Sequence, residues 1–271
     1  MRDTQQSLDL SITLVSTNQL HLLQNYMPSA FAIDSKASFE FLVVDNACTD
    51  GTAEWVYREF PQVQVICNER RQSYSANMNI GMKTMKRGRY FVVLNPDIKC
   101  MPDLFDSVVA FMDANPQIGM VGPQLLNPDR TVQHSCRRFS TPLSLLIRGL
   151  RLDAVLRDTS VVRDYLMLDF NHDHVNDVDW VMGALMFVRR EAIDTVGGMD
   201  ERYAMTYSDD QDWCCAMWHG GWRVVYFPHA HAVHVHQRSG MRNPFGKMGR
   251  IQTINALRMF RKFNWHLTRV P

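Results

Sequence analysis

The first hundred residues alternate between two patterns. The segments LSITLV (10–15), FEFLVV (39–44), VQVICN (63–68) and YFVVLN (90–95) are short apolar runs rich in β-branched and aromatic residues, which predict buried strands. Between them, residues 20–27, AEWVYREF and SANMNIGMKTMK carry apolar residues at helical spacing. Thr49-Asp50-Gly51-Thr52 supplies a turn and helix start before the second of these. Strands alternating with helices predict an α/β domain built on a mostly parallel sheet. In such sheets ligands gather outside the carboxyl ends of the strands. That rule places Ser16-Thr17-Asn18, Asp45-Asn46, Asn68 and Asn95-Pro96-Asp97 along one edge.

Beyond Met101 the pattern changes. PDLFDSVVAFMDANP predicts an amphipathic helix and IGMVGPQLL a short strand and turn, while residues 127–179 show no clean period. VDWVMGALMFVRREAIDTVGGMDE then predicts a strand, a helix and a Gly-Gly turn. DDQDWCCAMWHGG predicts a helix closed by glycines, and WRVVYFPHAHAVHVH a pair of short strands. The expected organisation is one main domain over residues 1–240, divided into halves at about 8–100 and 101–240, with a helical extension over 241–271.

Composition adjusts this picture in three ways. With 271 residues, 46% of them hydrophobic, the chain can bury a substantial core. No run of about 18 apolar residues predicts a transmembrane helix, no leader pattern opens the chain, and the six cysteines contain no CxxC pair. A reducing, cytoplasmic setting is therefore expected. Third, charge is split: after Asp212 there is no acid, but nine Lys and Arg, whereas the remainder holds 20 basic against 28 acidic residues. That tail is expected to face something anionic, a phospholipid surface or a phosphorylated substrate. If GRIQTINALRMFRKFNW is helical, Arg250, Arg258, Arg261 and Lys262 fall on one side and Leu257, Met259, Phe260 and Phe263 on the other, a pattern suited to the inner face of a membrane or to docking on the domain itself.

Four groups could carry chemistry. Asp45 ends a strand, and its carboxylate could accept from the N3–H of a uracil or thymine base. Asp97, on a Pro-stiffened turn, suits a ligand of Mg²⁺ or Mn²⁺, which take one or two protein carboxylates when substrate phosphates complete the shell. Asp209, Asp210 and Asp212 fit an acidic first helical turn, yet adjacent carboxylates also suit a general base. Finally, His229, His231, His234 and His236 crowd into eight residues, where strand spacing puts the last two on one face.

Taken in order, FLVVDNACTDGTAEWV, LNPDIKCMPD, VDWVMGALMFVRREAIDTVGGMDERY and YSDDQDWCCAMWHGGWRVVYFPHAHAVHVH resemble the inverting nucleotide-sugar glycosyltransferases of family two, which have the GT-A fold, from about Leu10 to His236. The resemblance implies a Rossmann-like sheet and a nucleotide-sugar donor bound by Ser16, Thr17, Asn18, Asp45, Asn77, Asn95 and Asp97, with Asn79 also placed near the nucleotide. It implies Mg²⁺ or Mn²⁺ on Asp97 and His234, Asp210 as general base with Asp209 beside it, and Trp180, Gly183 and Ala184 against the acceptor. Asn95 stands in place of the first Asp of the family's Asp-x-Asp, Ser208-Asp209-Asp210 replaces an aromatic-Glu-Asp run, and Arg70-Arg71-Gln72-Ser73 replaces an Asn-x-Gly turn. SCRRFSTPLSLLIRGL and RDYLMLDFNHDHVNDVDWVMGA further resemble bacterial rhamnosyltransferases of surface-polysaccharide assembly, implying dTDP-L-rhamnose as donor, a polyprenyl-diphosphate-linked or glycan acceptor, and no nucleic-acid partner. A sugar-nucleotidyltransferase would carry an early Gly-rich, basic phosphate loop, where this chain has only STNQLHLL. A non-catalytic sugar-binding module is the third reading.

Overall fold

A computed structural model describes residues 7–150, 152, 155–203, 208–235 and 246–269. The strand and helix order is β1 Leu8–Ser16, α1 Leu20–Tyr26, α2 Pro28–Phe31, β2 Phe39–Asp45, α3 Thr52–Glu59, β3 Gln64–Cys67, α4 Tyr74–Thr84, β4 Gly88–Leu94, β5 Ile98–Cys100, α5 Leu104–Ala114 and β6 Ile118–Leu126. There follow β7 Cys136–Arg137, α6 Pro142–Gly149, α7 Ser160–Leu166, β8 Asn176–Asp177, β9 Trp180–Val181, β10 Leu185–Arg189, α8 Arg190–Val196, α9 Asp209–His219, β11 Arg223–His234 and α10 Lys247–Lys262.

One mixed sheet runs in the order β3-β2-β1-β4-β10-β6-β11-β5, with β8 paired to β11, while β7 and β9 form a separate ribbon. The β3-β2-β1-β4 half is parallel and β10 runs antiparallel between β4 and β6. Period-two alternation sends the strand residues into two cores. Leu10, Ile12, Leu14, Phe41, Val43, Val92 and Leu94 meet Leu23, Trp55, Phe105 and Met112 on one face. Leu42, Val44, Phe91, Val93, Met186 and Val188 meet Met78, Ile193, Trp213 and Trp218 on the other. Both faces are covered by helices, which explains why the strands read as near-continuous apolar runs. Packing is close at the glycine that opens β4: a Cβ at Gly88 would stand 2.3 Å from the backbone nitrogen of Ser11.

Two expectations change. The stretch read as a pair of short strands is a single twelve-residue strand, β11, with an irregularity in its pairing to β6 between Phe227 and His231. An inserted bulge interrupts the period without ending the strand, so it looks like a turn in the sequence. The described residues of 127–179, which showed no period, hold four short elements rather than continuous coil.

The C-terminal helix docks on the domain. Met259 and Phe260, on the apolar side that suited either a membrane or docking, are buried, and Phe263 and Leu267 pack partly against the second core. Lys262 Nζ lies 2.6 Å from Asp212 Oδ2, supplying a cation to a buried carboxylate that also accepts from the Tyr203 hydroxyl at 2.7 Å. The expected boundary at 240/241 lies outside the described residues, as does His236. No helix among the described residues is long and apolar enough to cross a membrane. Met259→Ala should cost about 2–4 kcal/mol in urea unfolding, because it opens a cavity under the docked helix. Ile254→Ser, on the exposed side of α10, should change stability by no more than about 0.5 kcal/mol.

Candidate functional site

The polar rim begins with strand register. Ser16 pairs with Asp45 and Asp45 with Cys67, so the carboxyl ends of β1, β2 and β3 finish in a row. Asp45, buried, accepts from the Cys48 amide at 2.7 Å. Asn18 adopts a left-handed conformation (φ 55°) that lets its Oδ1 accept from the Thr49 amide at 2.8 Å. Ser16 is fully buried with its hydroxyl 3.4 Å from that of Thr52, whereas Thr17 is half-buried and receives the Asn46 amide at 3.1 Å. Asn77 is fully buried: its Oδ1 accepts from Asn68 at 2.6 Å and its amide donates to the Ser73 carbonyl at 2.9 Å. It braces the rim from beneath. Asn79 faces away, with its amide donating to the Met199 carbonyl and to Glu201.

Backbone pairing brings the late segments to Asn95-Pro96-Asp97. β10 aligns Leu185 with Leu94, and the Asn95 amide donates to the Ala184 carbonyl at 2.9 Å. β5 aligns Ile98 with His234, and the Val235 amide donates to the Asp97 carbonyl at 3.0 Å. These ladders set His234 Nε2 3.4 Å from Asp97 Oδ2, with both side chains largely buried. The other ring nitrogen, Nδ1, is 2.7 Å from Gln133 Oε1. His231, in contrast, pairs with Asp103 at 2.6 Å, and His229 is exposed.

The acids of α9 form the opposite wall. Asp210 Oδ2 accepts from the Gly183 amide at 3.3 Å and Oδ1 from the Gln211 amide at 2.8 Å. Gly183 leaves just enough room: a Cβ there would sit 3.3 Å from that of Asp210. Asp209 is buried behind it, 3.4 Å from the Ser75 hydroxyl. Burial and the repulsion of Asp210 push the Asp209 carboxyl up from its ordinary value, and burial does the same to Asp210, opposed by its two backbone donors and the positive charge of Arg137. Arg137 lies 5.8 Å from the ring centre of Trp180, which is buried and donates to the Arg138 carbonyl at 2.8 Å.

Tyr74, which sequence reasoning passed over, joins the two walls. Its hydroxyl reaches Asn95 Oδ1 at 2.8 Å and the Gly183 carbonyl at 3.0 Å. Burial, with Asp209, Asp210 and Asp97 around it, pushes its phenol well above the ordinary range. An aromatic at the start of a helix carries no sequence signal for such a role.

A divalent cation fits the Asp97–His234 pair. Adjacent ligands of a six-coordinate ion with bonds of about 2.1 Å stand roughly 3 Å apart, close to the separation found. No cluster of three or more His, Cys, Asp or Glu ligands occurs among the described residues, so two protein atoms would leave the remaining positions to substrate oxygens and water.

A parallel half-sheet ending in a polar rim, met by an antiparallel strand, is the arrangement of the GT-A fold. The chain belongs to the glycosyltransferase-like family 2, whose model matches residues 9–251. It is 28% identical over 239 residues to N-acetylglucosaminyl-diphospho-decaprenol L-rhamnosyltransferase of Mycobacterium tuberculosis, covering 82% of this chain and 74% of that one. Over 141 residues it is 30% identical to Rhamnosyltransferase WbbL of Escherichia coli, covering 48% of this chain and 52% of the other. Among solved structures, GalNAc-T7 with UDP, GalNAc and Mn²⁺ superposes with a TM-score of 0.69 at 16% identity, over 94% of this chain and 48% of that one. A Pyrobaculum calidifontis mannosyltransferase with GDP-Man and Mn²⁺ gives 0.63 at 18% identity, over 99% of this chain and 67% of its own.

The raised carboxyls make a stability prediction. A folded-state value above the unfolded one means the folded chain binds the proton more tightly, so this contribution weakens as pH rises from about 4 toward and through the raised value. Asp209→Asn should therefore stabilise the protein by about 1–3 kcal/mol at pH 8 and by almost nothing below pH 4. Urea unfolding of both proteins across that range reads the difference; a gain that does not grow with pH would remove the argument.

Proposed function

We propose that the protein is an inverting rhamnosyltransferase that uses dTDP-L-rhamnose and acts on a polyprenyl-diphosphate-linked or glycan acceptor at the cytoplasmic face of the membrane. The observation that carries the reading is the convergence on one turn of a cation-suited pair, Asp97 and His234, and an acidic wall led by Asp210, with Tyr74 between them. Asp45 would receive the N3–H of the thymine base, and Thr17, Asn18 and Asn95 would line the donor pocket, with Ser16 and Asn77, both fully buried, holding its floor rather than touching the donor. Mg²⁺ or Mn²⁺ held by Asp97 and His234 would offset the charge that develops on the departing diphosphate. Asp210, kept basic by burial yet oriented by the Gly183 amide, takes the proton of the acceptor hydroxyl. The acceptor oxygen bonds to the anomeric carbon from the opposite face as the carbon–oxygen bond to the nucleoside diphosphate breaks, its electron pair leaving with the diphosphate. The configuration inverts. Asp209 limits the charge of the pair, and Trp180, Gly183 and Ala184 shape the acceptor side.

An apolar surface beside this wall supports a lipid-linked acceptor. The Ser140 hydroxyl donates to Gln211 Oε1 at 2.9 Å, fixing the start of α6 next to Asp210, and α6 then exposes Leu143 and Leu146 by 51% and 58%. The rhamnosyltransferase names of two relatives, one of them an L-rhamnosyltransferase, support the donor sugar. Contact with an anionic membrane would use the outer side of α10, where Ile254 and Leu257 are exposed beside Arg258 and Arg261.

Asp210→Asn should lower kcat by about 10²–10⁴-fold with donor affinity retained, and Asp97→Ala should instead weaken metal-dependent donor binding. Nucleoside diphosphate release from a panel of sugar nucleotides, with and without metal, should respond to dTDP-rhamnose; full turnover by Asp210→Asn or metal-independent activity would refute the respective assignment. Co-sedimentation with anionic liposomes should fall when Arg258 and Arg261 are both changed to Glu, and equal partitioning would dispose of the membrane contact.

A further inference from the structure

The hydrogen-bond donors and acceptors behind His234 can be followed outward to a group whose chemistry admits one choice. β6 is followed by a tight turn, Asn127-Pro128-Asp129-Arg130, in which Arg130 is left-handed (φ 71°) and Leu126 bridges to Val132. Asp129, exposed at the tip, is an acceptor, and it receives both the backbone amide of Thr131 at 3.0 Å and its hydroxyl at 2.6 Å. Having given its proton to Asp129, the Thr131 hydroxyl can only accept from Asn127, so the group 2.9 Å away is the Asn127 amide nitrogen. Asn127 Oδ1 is thereby turned toward Gln133, whose amide nitrogen donates to it at 3.1 Å. That leaves Gln133 Oε1, a pure acceptor, 2.7 Å from His234 Nδ1. Each member sets the orientation of the next, and the order runs from the carboxylate inward. The ambiguity that normally attends amide and imidazole orientation is removed here by connectivity.

We propose that Gln133, oriented by Asn127, Thr131 and Asp129, is a positioning residue that holds His234 in its Nδ1–H tautomer and so presents the Nε2 lone pair toward Asp97 and a divalent cation. The cation part of this inference rests on the reading of Asp97 and His234 given above. The tautomer part does not. In the alternative tautomer, Nε2–H would donate to Asp97 and close the pair against a cation. Of these two acceptors Gln133 Oε1 is the nearer, at 2.7 Å from Nδ1 against 3.4 Å from Nε2 to Asp97 Oδ2, so the hydrogen-bonded proton sits on Nδ1. Carboxamides and carboxylates behind metal-bound histidines have this effect generally: they set ring orientation and basicity, and their loss costs about 10–100-fold in metal affinity.

The test reads the tautomer directly. In metal-free protein with ¹⁵N-labelled histidine at pH 8, long-range proton–nitrogen spectra distinguish the two neutral forms, and His234→Gln identifies the signal. The expected result is a protonated Nδ1 and an unprotonated Nε2 for His234. Gln133→Leu should move the population toward Nε2–H, whereas Gln133→Glu, whose carboxylate can only accept, should keep the parental form. Mn²⁺ binding in the presence of dTDP, followed by electron paramagnetic resonance, should be about 10–100-fold weaker in Gln133→Leu and stay near the parental value in Gln133→Glu. An Nε2–H tautomer in the parent, or an unchanged tautomer in Gln133→Leu with its fold intact by circular dichroism, overturns the proposal. Equal Mn²⁺ affinity in the parent and Gln133→Leu overturns its link to the cation. A parent that shows the Nδ1–H tautomer, lost in Gln133→Leu, but binds no Mn²⁺ supports the relay and refutes the metal reading instead.

Discussion

The short connection between β4 and β5 constrains the whole site. In sheet order β5 lies four strands beyond β4, which in a flat sheet would be about 19 Å away. The chain from Leu94 to Ile98 can reach at most about 14 Å. The sheet must therefore curl at this end, and the irregular pairing of β11 near Phe227 to His231 is where its strand accommodates the bend. Curling folds the far edge back over the Asn95-Pro96-Asp97 turn. His234 then meets Asp97 although 137 positions later in the chain.

The same geometry separates two electrostatic tasks. At one pole a carboxylate and an imidazole face each other, an arrangement that gains from a positive charge placed between them. At the other, Asp209 and Asp210 are crowded and buried, which disfavours two negative charges and raises their affinity for a proton. Tyr74 keeps these poles at a fixed spacing by bonding to Asn95 and to the Gly183 carbonyl, and the Gly183 amide in turn holds Asp210. The docked C-terminal helix contributes from behind: Lys262 neutralises Asp212, the third acid of α9, so that the negative charge of the helix start is concentrated on Asp209 and Asp210.

Some of this was legible along the chain because it is local. Asp45 ends one buried strand and Asp97 follows another, and the parallel order β3-β2-β1-β4 places these strand ends on one edge, as alternation of strands and helices predicts. The acidic start of α9 was equally plain. Asn77 lies beside the polar rim, where its bond to Asn68 joins it to the end of β3, but its complete burial depends on what α4 packs against. Tyr74 and Gln133 were not legible: a single aromatic and a single amide have no periodicity, and each acts through partners far away in sequence. The C-terminal helix was read as amphipathic, yet amphipathicity is satisfied alike by a membrane and by a protein surface. Burial of Met259 and Phe260 decided between them for that face.

By itself, then, the sequence determined the α/β class, the polar strand ends and the identity of the acids, because hydrophobic period and turn chemistry are properties of neighbouring residues. Only the tertiary structure decided that His234 belongs with Asp97, that Asp210 lies under Gly183, and that one imidazole nitrogen faces Asp97 and the other Gln133. Those outcomes depend on strand register and on hydrogen bonds between distant segments, and a shift of one residue in β10 or β11 would send the same side chains to the opposite face of the sheet.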